Sequence, residues 1–327
     1  MKKRVLVTGP YGFLGKYVID ELVLNGYHVV AFGRDIKKME LLKCDDVDIC
    51  IGDFRRLEDN LKATDGVDFV LHCGALSTVW GRRQDFIDTN VDGTMRLVEA
   101  CRRNKVKRFV YVSSPSIYSG KRDRLNIKEN EYDPGNKLNY YIESKIMAEQ
   151  QLSQVNDLDW VIVRPRGLFG VGDTSIIPRL IKANSKIGVP LFNKGEILVD
   201  ITCVENVAYA LRLCLETDSA VGNIYNVTNG EPRKFKQILE QLFDKIGVKP
   251  CYLNLNFNFV FAYSCILEFV YKLLHIYKEP ILTKYNVCTL GFSQTLDISK
   301  AKKDLGYVPK MTLDEGIEKY AKEYNKN

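Results

Sequence analysis

Two regular patterns of apolar and polar positions alternate through the first half of the chain. Residues 4–8 are a short β-branched run, residues 16–25 carry helical periodicity that ends at Gly26, and residues 28–32 form a second apolar run. Together they predict a β-α-β unit with glycines in its first turn. The pattern then recurs. Residues 47–51, 67–73, 108–112 and 160–164 read as buried strands, separated by helical stretches near residues 55–62, 86–103 and 140–154. Such alternation predicts an α/β architecture built on a doubly wound parallel sheet. No repeat, linker or low-complexity segment interrupts it. After about Pro165 the texture changes to short mixed elements, a helix at residues 206–216 and an aromatic-rich stretch at residues 257–277.

Two local patterns carry candidate chemistry. The first is Thr8-Gly9-Pro10-Tyr11-Gly12-Phe13-Leu14-Gly15, placed directly after the first strand and before the first helix. In such a turn Gly9 allows the tight bend, Gly12 lets the backbone approach a pyrophosphate, and Gly15 permits close packing of helix on strand. The helix N-terminus then turns its N–H groups toward the phosphates. The second is Tyr141-Ile-Glu-Ser-Lys145, which on a helix puts Tyr141 and Lys145 at i and i+4 on one face. An ammonium beside a phenol favours the phenolate, so a hydroxyl that ordinarily titrates near pH ~10 can exchange a proton at neutral pH. Taken alone, the first pattern also fits a turn that binds nothing, and the second an ordinary exposed helix. On one chain they describe a nucleotide site beside a proton donor.

With these motifs the chain resembles the extended short-chain dehydrogenase/reductase family, in its 3β-hydroxysteroid dehydrogenase-like branch. The resemblance implies a Rossmann-type NAD(P)-binding domain over residues 1–165, with contributions from about 195–227, and a smaller region at 166–327 that mainly binds substrate. It implies three catalytic residues. Ser114, in Val112-Ser113-Ser114-Pro115-Ser116-Ile117-Tyr118, would hold the substrate oxygen, Tyr141 would transfer the proton, and Lys145 would lower the tyrosine pKa and bond the nicotinamide ribose; Ser113 would be structural. The cofactor set expected from the resemblance is Thr8, Gly9, Gly12, Phe13, Leu14, Gly15, Arg34, Asp53, Phe54, Cys73, Gly74, Ala75, Tyr141, Lys145, Pro165 and Gly167. His72 reads as packing. At the end of the second strand an acidic residue would bond the ribose hydroxyls for NAD, and Gly33 followed by Arg34 stands there instead, which favours NADP(H). The other reading leaves Arg34 in solvent or on the adenine, with Asp35 on the ribose.

The branch also follows from Leu198-Val199-Asp200-Ile201-Thr202-Cys203-Val204-Glu205-Asn206-Val207, from Asn226-Val227-Thr228-Asn229-Gly230-Glu231-Pro232 and from Cys73-Gly74-Ala75-Leu76-Ser77-Thr78-Val79-Trp80-Gly81. It implies hydride transfer between a nicotinamide and a 3-hydroxy or 3-oxo group on an apolar steroid-like or acyl-chain substrate. Two alternatives stay open. A nucleotide-sugar epimerase or dehydratase would ordinarily place an Arg-Asp pair before the Val-x-Asp segment, where this chain has Ile197-Leu198-Val199-Asp200, and a dehydratase an Asp-Glu pair where it has Pro115-Ser116. A non-catalytic NADP-binding regulator would ordinarily have lost Tyr141 or Lys145.

Composition narrows the partners. The 327 residues carry 47 basic and 41 acidic side chains, a net charge of +6, in small clusters without a nucleic-acid recognition motif. Nine cysteines, without a Cys-x-x-Cys pair, fit free thiols in a reducing compartment, and three histidines argue against a metal centre. Met1-Lys2-Lys3-Arg4 leads straight into a strand, so the expected location is the cytoplasm. Residues 257–277 include Asn258, Glu268, Lys272 and His275, which makes a membrane span costly. The stretch reads as a helix over an apolar pocket, with interfacial membrane contact as the alternative. The resemblance further implies a homodimer through the helices near residues 86–103 and 140–154.

Overall fold

The computed structural model describes residues 2–326. Its main sheet comprises β1 (Arg4–Thr8), β2 (His28–Gly33), β3 (Val47–Ile51), β4 (Phe69–His72), β5 (Arg108–Val112), β6 (Asp159–Pro165) and β7 (Asn223–Val227), in the spatial order β7-β6-β5-β4-β1-β2-β3. Every neighbouring pair runs parallel. Strands of a parallel sheet are buried on both faces, which is why these runs are apolar throughout rather than at alternate positions. Val5 and Val7 thus enter one core layer while Leu6 enters the other. The first layer holds α1 (Phe13–Leu24) and the second holds α2 (Thr94–Arg103) and α3 (Tyr140–Leu152); α4 (Val204–Glu216) joins α1 on its side. Strand order reverses between β1 and β4, the place where such sheets open a crevice at their carboxyl edge.

The helix expected over residues 86–103 is not uniform. It begins as Arg83–Phe86, widens into a π-helical turn at Ile87–Gly93, and continues as α2. Gly93 lies where a Cβ would come within 2.9 Å of the Phe54 ring. The turn carries Asn90, whose amide bridges Leu76 and Ser144.

A further hydrophobic cluster gathers Phe169, Leu191, Leu239, Phe243, Leu313 and Ile317. Short strands brace this part: Leu198–Val199, Arg233–Lys234 and Gln294–Leu296 join Arg124–Ile127 in one small sheet, and Thr202–Cys203 pairs with Leu168–Phe169. The aromatic stretch forms α5 (Phe257–Leu273), followed by α6 (Lys284–Gly291). Ser264 and Glu268 face inward, and Glu268 accepts from the Lys284 backbone N–H at 2.7 Å and pairs with its ammonium at 3.2 Å. Phe259, Ile266, Phe269 and Leu273 face outward, away from that ion pair. Among the described residues no helix is long and apolar enough to cross a membrane.

Candidate active site

The carboxyl ends of β1, β4, β5 and β6 bring most of the sequence-selected residues to one edge of the sheet. At β1, Gly9 adopts φ +65°, a left-handed backbone that favours glycine, and its carbonyl accepts from the Gly12 N–H at 3.0 Å. A Cβ on Gly15 would lie 2.2 Å from that same carbonyl oxygen. The tight turn therefore depends on bare backbone at both positions. At its N-terminus α1 has no side-chain cap and no acidic residue in the first turn, which leaves amide donors and a positive dipole end suited to a dinucleotide pyrophosphate. The chain fits the cofactor there. Phe13 stacks edge-on against Tyr17, Leu14 packs on the core, and a Cβ on Gly74 would meet both Phe54 and Thr8 at 3.0–3.1 Å. Cys73 and Ala75 flank Gly74, half-buried.

Thr8 begins a buried hydrogen-bonded chain. Its Oγ1 accepts from the Gly74 N–H at 2.9 Å and lies 2.7 Å from His72 Nδ1; His72 Nε2 lies 2.9 Å from Thr94 Oγ1, which donates to the Asn90 carbonyl at 2.8 Å. Assigning the imidazole proton to Nε2 gives every link one donor and one acceptor. Burial brings the His72 pKa down to about 3, so the ring is neutral. Its place is packing and hydrogen bonding between β4 and the π-helical turn. Asn90 carries the network on to Ser144, which donates to the Tyr141 carbonyl.

Tyr141 and Lys145 follow from a well-defined helix start: Asn139 accepts from the Ile142 N–H at 2.8 Å and caps α3. Ser114, at the end of β5, caps the short turn at Pro115–Tyr118 and lies 2.9 Å from Ser116 Oγ, near enough to Tyr141 to pull its hydroxyl's pKa down. Ser113 instead keeps its backbone N–H on the Val163 carbonyl. Lys145 is buried and donates to the Val112 carbonyl at 2.9 Å and the Tyr111 hydroxyl at 3.1 Å; its ammonium lies 5.9 Å from the Tyr141 ring centroid. The electrostatics differ from the sequence expectation. Burial pushes the Tyr141 hydroxyl up to about 12 against the pull of Ser114, while the Lys145 ammonium is bonded to β5. Burial also brings Lys145 down to about 8, opposed by Glu149.

At the adenine side, Asp53 is gripped by Arg55 through Nε and Nη2, with Arg34 Nη1 at 3.7 Å. Burial alone would raise the Asp53 pKa, but the Arg55 hydrogen bonds outweigh it and hold the carboxylate low. Gly33 ends β2, and Arg34 is 62% exposed. Asp35 is already used: it caps the helix Ile36–Glu40 through the Lys38 N–H and pairs with the Lys38 ammonium.

At the end of β6 and just past it the chain places two buried arginines two residues apart. Arg164 is fully buried and fully engaged, by both carboxylate oxygens of Glu149, by the Tyr118 hydroxyl and by the Glu129 carbonyl at 2.6 Å. Arg166 is 7% exposed and its Nε has no acceptor. Near it stand Asp200, which accepts from the Leu296 N–H at 2.7 Å, and Tyr285 of α6. Burial pushes Asp200 up to about 6. Pro165 and Gly167 complete the segment, and a Cβ on Gly167 would meet the Asp200 carbonyl at 3.0 Å. Arg166 lies between Pro165 and Gly167 of the expected cofactor set, and only the tertiary structure shows its buried Nε.

Comparison with known proteins follows this geometry. The model of the NAD dependent epimerase/dehydratase family matches residues 5–228. The chain is 31% identical to a 2-alkyl-3-oxoalkanoate reductase of Shewanella oneidensis, over 96% of this chain and 84% of that protein. It is 29% identical to a sterol-4-alpha-carboxylate 3-dehydrogenase, decarboxylating, of Mus musculus, over 99% of this chain and 91% of that one. Its fold is similar to that of a UDP-glucuronic acid 4-epimerase from Bacillus cereus solved in complex with NAD, with a TM-score of 0.77 and 22% identity over 98% of this chain and 99% of that one.

Proposed function

The chain belongs to the NAD dependent epimerase/dehydratase family, and from that membership we propose that it is an NAD(P)-dependent oxidoreductase interconverting 3-oxo and 3-hydroxy groups on an apolar steroid-like or acyl-chain substrate. The observation that carries this reading is the meeting of Ser114 and Tyr141 at the carboxyl edge of the sheet, with Lys145 behind the tyrosine and the glycine turn alongside. The oxoalkanoate and sterol relatives supply the substrate class.

The nicotinamide, when bound, supplies or accepts the hydride at the substrate carbon. Everything else falls to side chains of this chain. In reduction the carbonyl oxygen takes a hydrogen bond from Ser114 and the phenolic proton from Tyr141, so the carbon gains a hydride and the oxygen a proton. With its hydroxyl near 12, Tyr141 stays protonated at neutral pH and is ready to donate. The Lys145 ammonium, 5.9 Å from the Tyr141 ring centroid, is the positive charge nearest the phenolate that results, and its attraction is stronger in a dry site than in water.

Nicotinamide dependence follows from the family; the choice of NADP(H) over NAD(H) is our reading of the adenine side. With Asp35 capping a helix and Asp53 held by Arg55, neither carboxylate is free for the ribose hydroxyls, while exposed Arg34 and nearby Lys38 suit a 2′-phosphate. A homodimer through the helices around α2 and α3 belongs to the same proposal. The functional test is a cofactor-oxidation assay run in parallel on 3-oxosteroids, 2-alkyl-3-oxoacids and UDP- or dTDP-sugars. Turnover on the first two classes is expected, and turnover confined to nucleotide sugars would overturn the reading.

A further inference from the structure

The inner side of α5 is fixed to the rim of the reaction chamber. The Trp80 indole N–H donates to the Ile276 carbonyl at 3.0 Å, just past the helix, and the Trp80 ring stands edge-on to Tyr271. The Lys272 ammonium lies over both the Trp80 and Tyr140 rings, and Tyr140 adjoins Tyr141. Glu268 ties the helix to α6, whose Tyr285 is within electrostatic range of the Tyr141 hydroxyl. The helix is therefore a wall between the chamber and the outside.

Its outer side has no partner in the chain. Phe259, Tyr263, Ile266, Phe269, Val270 and Leu273 recur at helical spacing, and each is between 38% and 79% exposed. At 1.5 Å per residue they form an apolar stripe about 21 Å long, with no charged side chain among them. Single exposed apolar residues are ordinary, whereas a continuous stripe of this length marks a surface that something else covers. The exposed apolar surface continues past the helix at Tyr277 and Ile281.

The charges around the stripe select what covers it. Lys121 lies over the Phe261 ring at 4.1 Å in the N-terminal half of the helix; Lys272 stands near the C-terminal end, and Lys278 is exposed just beyond. The two carboxylates of residues 257–291 are both paired, Glu268 with Lys284 and Glu279 with Arg179. The face thus carries lysines toward both ends and no free carboxylate of its own. A second copy laid on it, parallel or antiparallel, would set lysine against lysine with no acid to meet them. An anionic lipid surface answers both features, since acyl chains receive the aromatic and aliphatic side chains and headgroup phosphates receive the lysines.

We propose that α5 seats the protein on an anionic bilayer, lying in the headgroup plane with its outer stripe among the acyl chains, so that an apolar substrate passes from lipid into the chamber behind it. Docking stands on the helix alone. Only the delivery of substrate rests on the hydride-transfer reading above.

The experiment sediments the protein with phosphatidylcholine vesicles, with and without phosphatidylglycerol, at low and high salt. Binding to the vesicles that contain phosphatidylglycerol is expected, and it should weaken at high salt and on phosphatidylcholine alone. The double variant Ile266→Ser/Phe269→Ser, changed only at exposed positions, should lower the vesicle partition coefficient about 10–100-fold. Its melting temperature and its turnover of a water-soluble substrate should stay at wild-type values. Lys278→Glu should lower partitioning onto the anionic vesicles about fivefold or more. Absence of vesicle binding, or equal binding by the wild type and the double variant, overturns the proposal. So does sedimentation equilibrium without lipid in which the double variant forms a smaller oligomer than the wild type, a result that gives the stripe to a second copy. Vesicle binding is read without turnover, so its failure leaves the hydride-transfer reading in place, and loss of that reading leaves docking in place.

Discussion

Gly15→Ala tests the cofactor turn at its tightest point. The added Cβ would lie 2.2 Å from the Gly9 carbonyl oxygen and 2.9 Å from Gly9 C and Pro10 Cα. Ordinary contact begins at 3.4 Å, so helix and turn must part by roughly 1 Å, and both sides are backbone that cannot rotate out of the way. Overpacking of this kind costs about 1–3 kcal/mol. The turn that moves is the one whose amides face the pyrophosphate, so the cost appears in binding as well as in stability: at about 1.4 kcal/mol per tenfold, dinucleotide affinity should drop roughly 10–100-fold for NADPH and NADH alike. Gly12→Ala, with 3.1 Å to the same oxygen, should be milder, and Gly120→Ala, with nothing within 4 Å, should be neutral. Fluorescence titration of both cofactors, paired with thermal melts, reads all three variants. Wild-type affinity in Gly15→Ala would refute the placement of the cofactor on this turn.

Three further outcomes follow from the site. Tyr141→Phe keeps the ring and removes the transferable proton, so steady-state kinetics should show turnover about 10²–10⁴-fold lower with cofactor affinity retained. Arg34→Ala should weaken NADPH about 10–100-fold and leave NADH nearly unchanged, as measured by titration; equal losses would mean that Arg34 does not read the phosphate. For pH, Tyr141 with its hydroxyl near 12 stays protonated across the working range, whereas Lys145 is an ammonium below about 8 and an amine above it. The reductive kcat should therefore be flat through neutrality and decline above pH 8, and a profile that still rises there would contradict the assigned charge on Lys145.

Much of this was legible before the fold was known. The bounds of β1, β3 and β5 agree with the apolar runs because nothing but burial decides them, and α3 begins at Tyr140 because Asn139 offers a capping oxygen just before it. The grouping of glycine turn, serine and Tyr-x-x-x-Lys follows from motif spacing on a fold whose carboxyl edge collects them. What escaped were features set by contacts remote in sequence. The π-helical turn at Ile87–Gly93 depends on Phe54 against Gly93 and on Asn90 bridging to Leu76 and Ser144. The raised Tyr141 pKa arises from burial, and tertiary contacts to Tyr111 and Val112 hold the Lys145 ammonium on β5. Arg164 and Arg166 look alike in the sequence, and only tertiary structure shows that Arg164 is fully engaged and that the Nε of Arg166 has no acceptor.

The most direct measurement follows the hydride itself. Wild type and Tyr141→Phe are incubated with NADPH deuterated at the transferable C4 position and a 2-alkyl-3-oxoacid, and the product is examined by mass spectrometry and NMR. The account predicts one deuterium on the carbinol carbon at position 3, formed in step with cofactor oxidation and suppressed in Tyr141→Phe. Reduction without deuterium at that carbon, or undiminished transfer in the tyrosine variant, would contradict it.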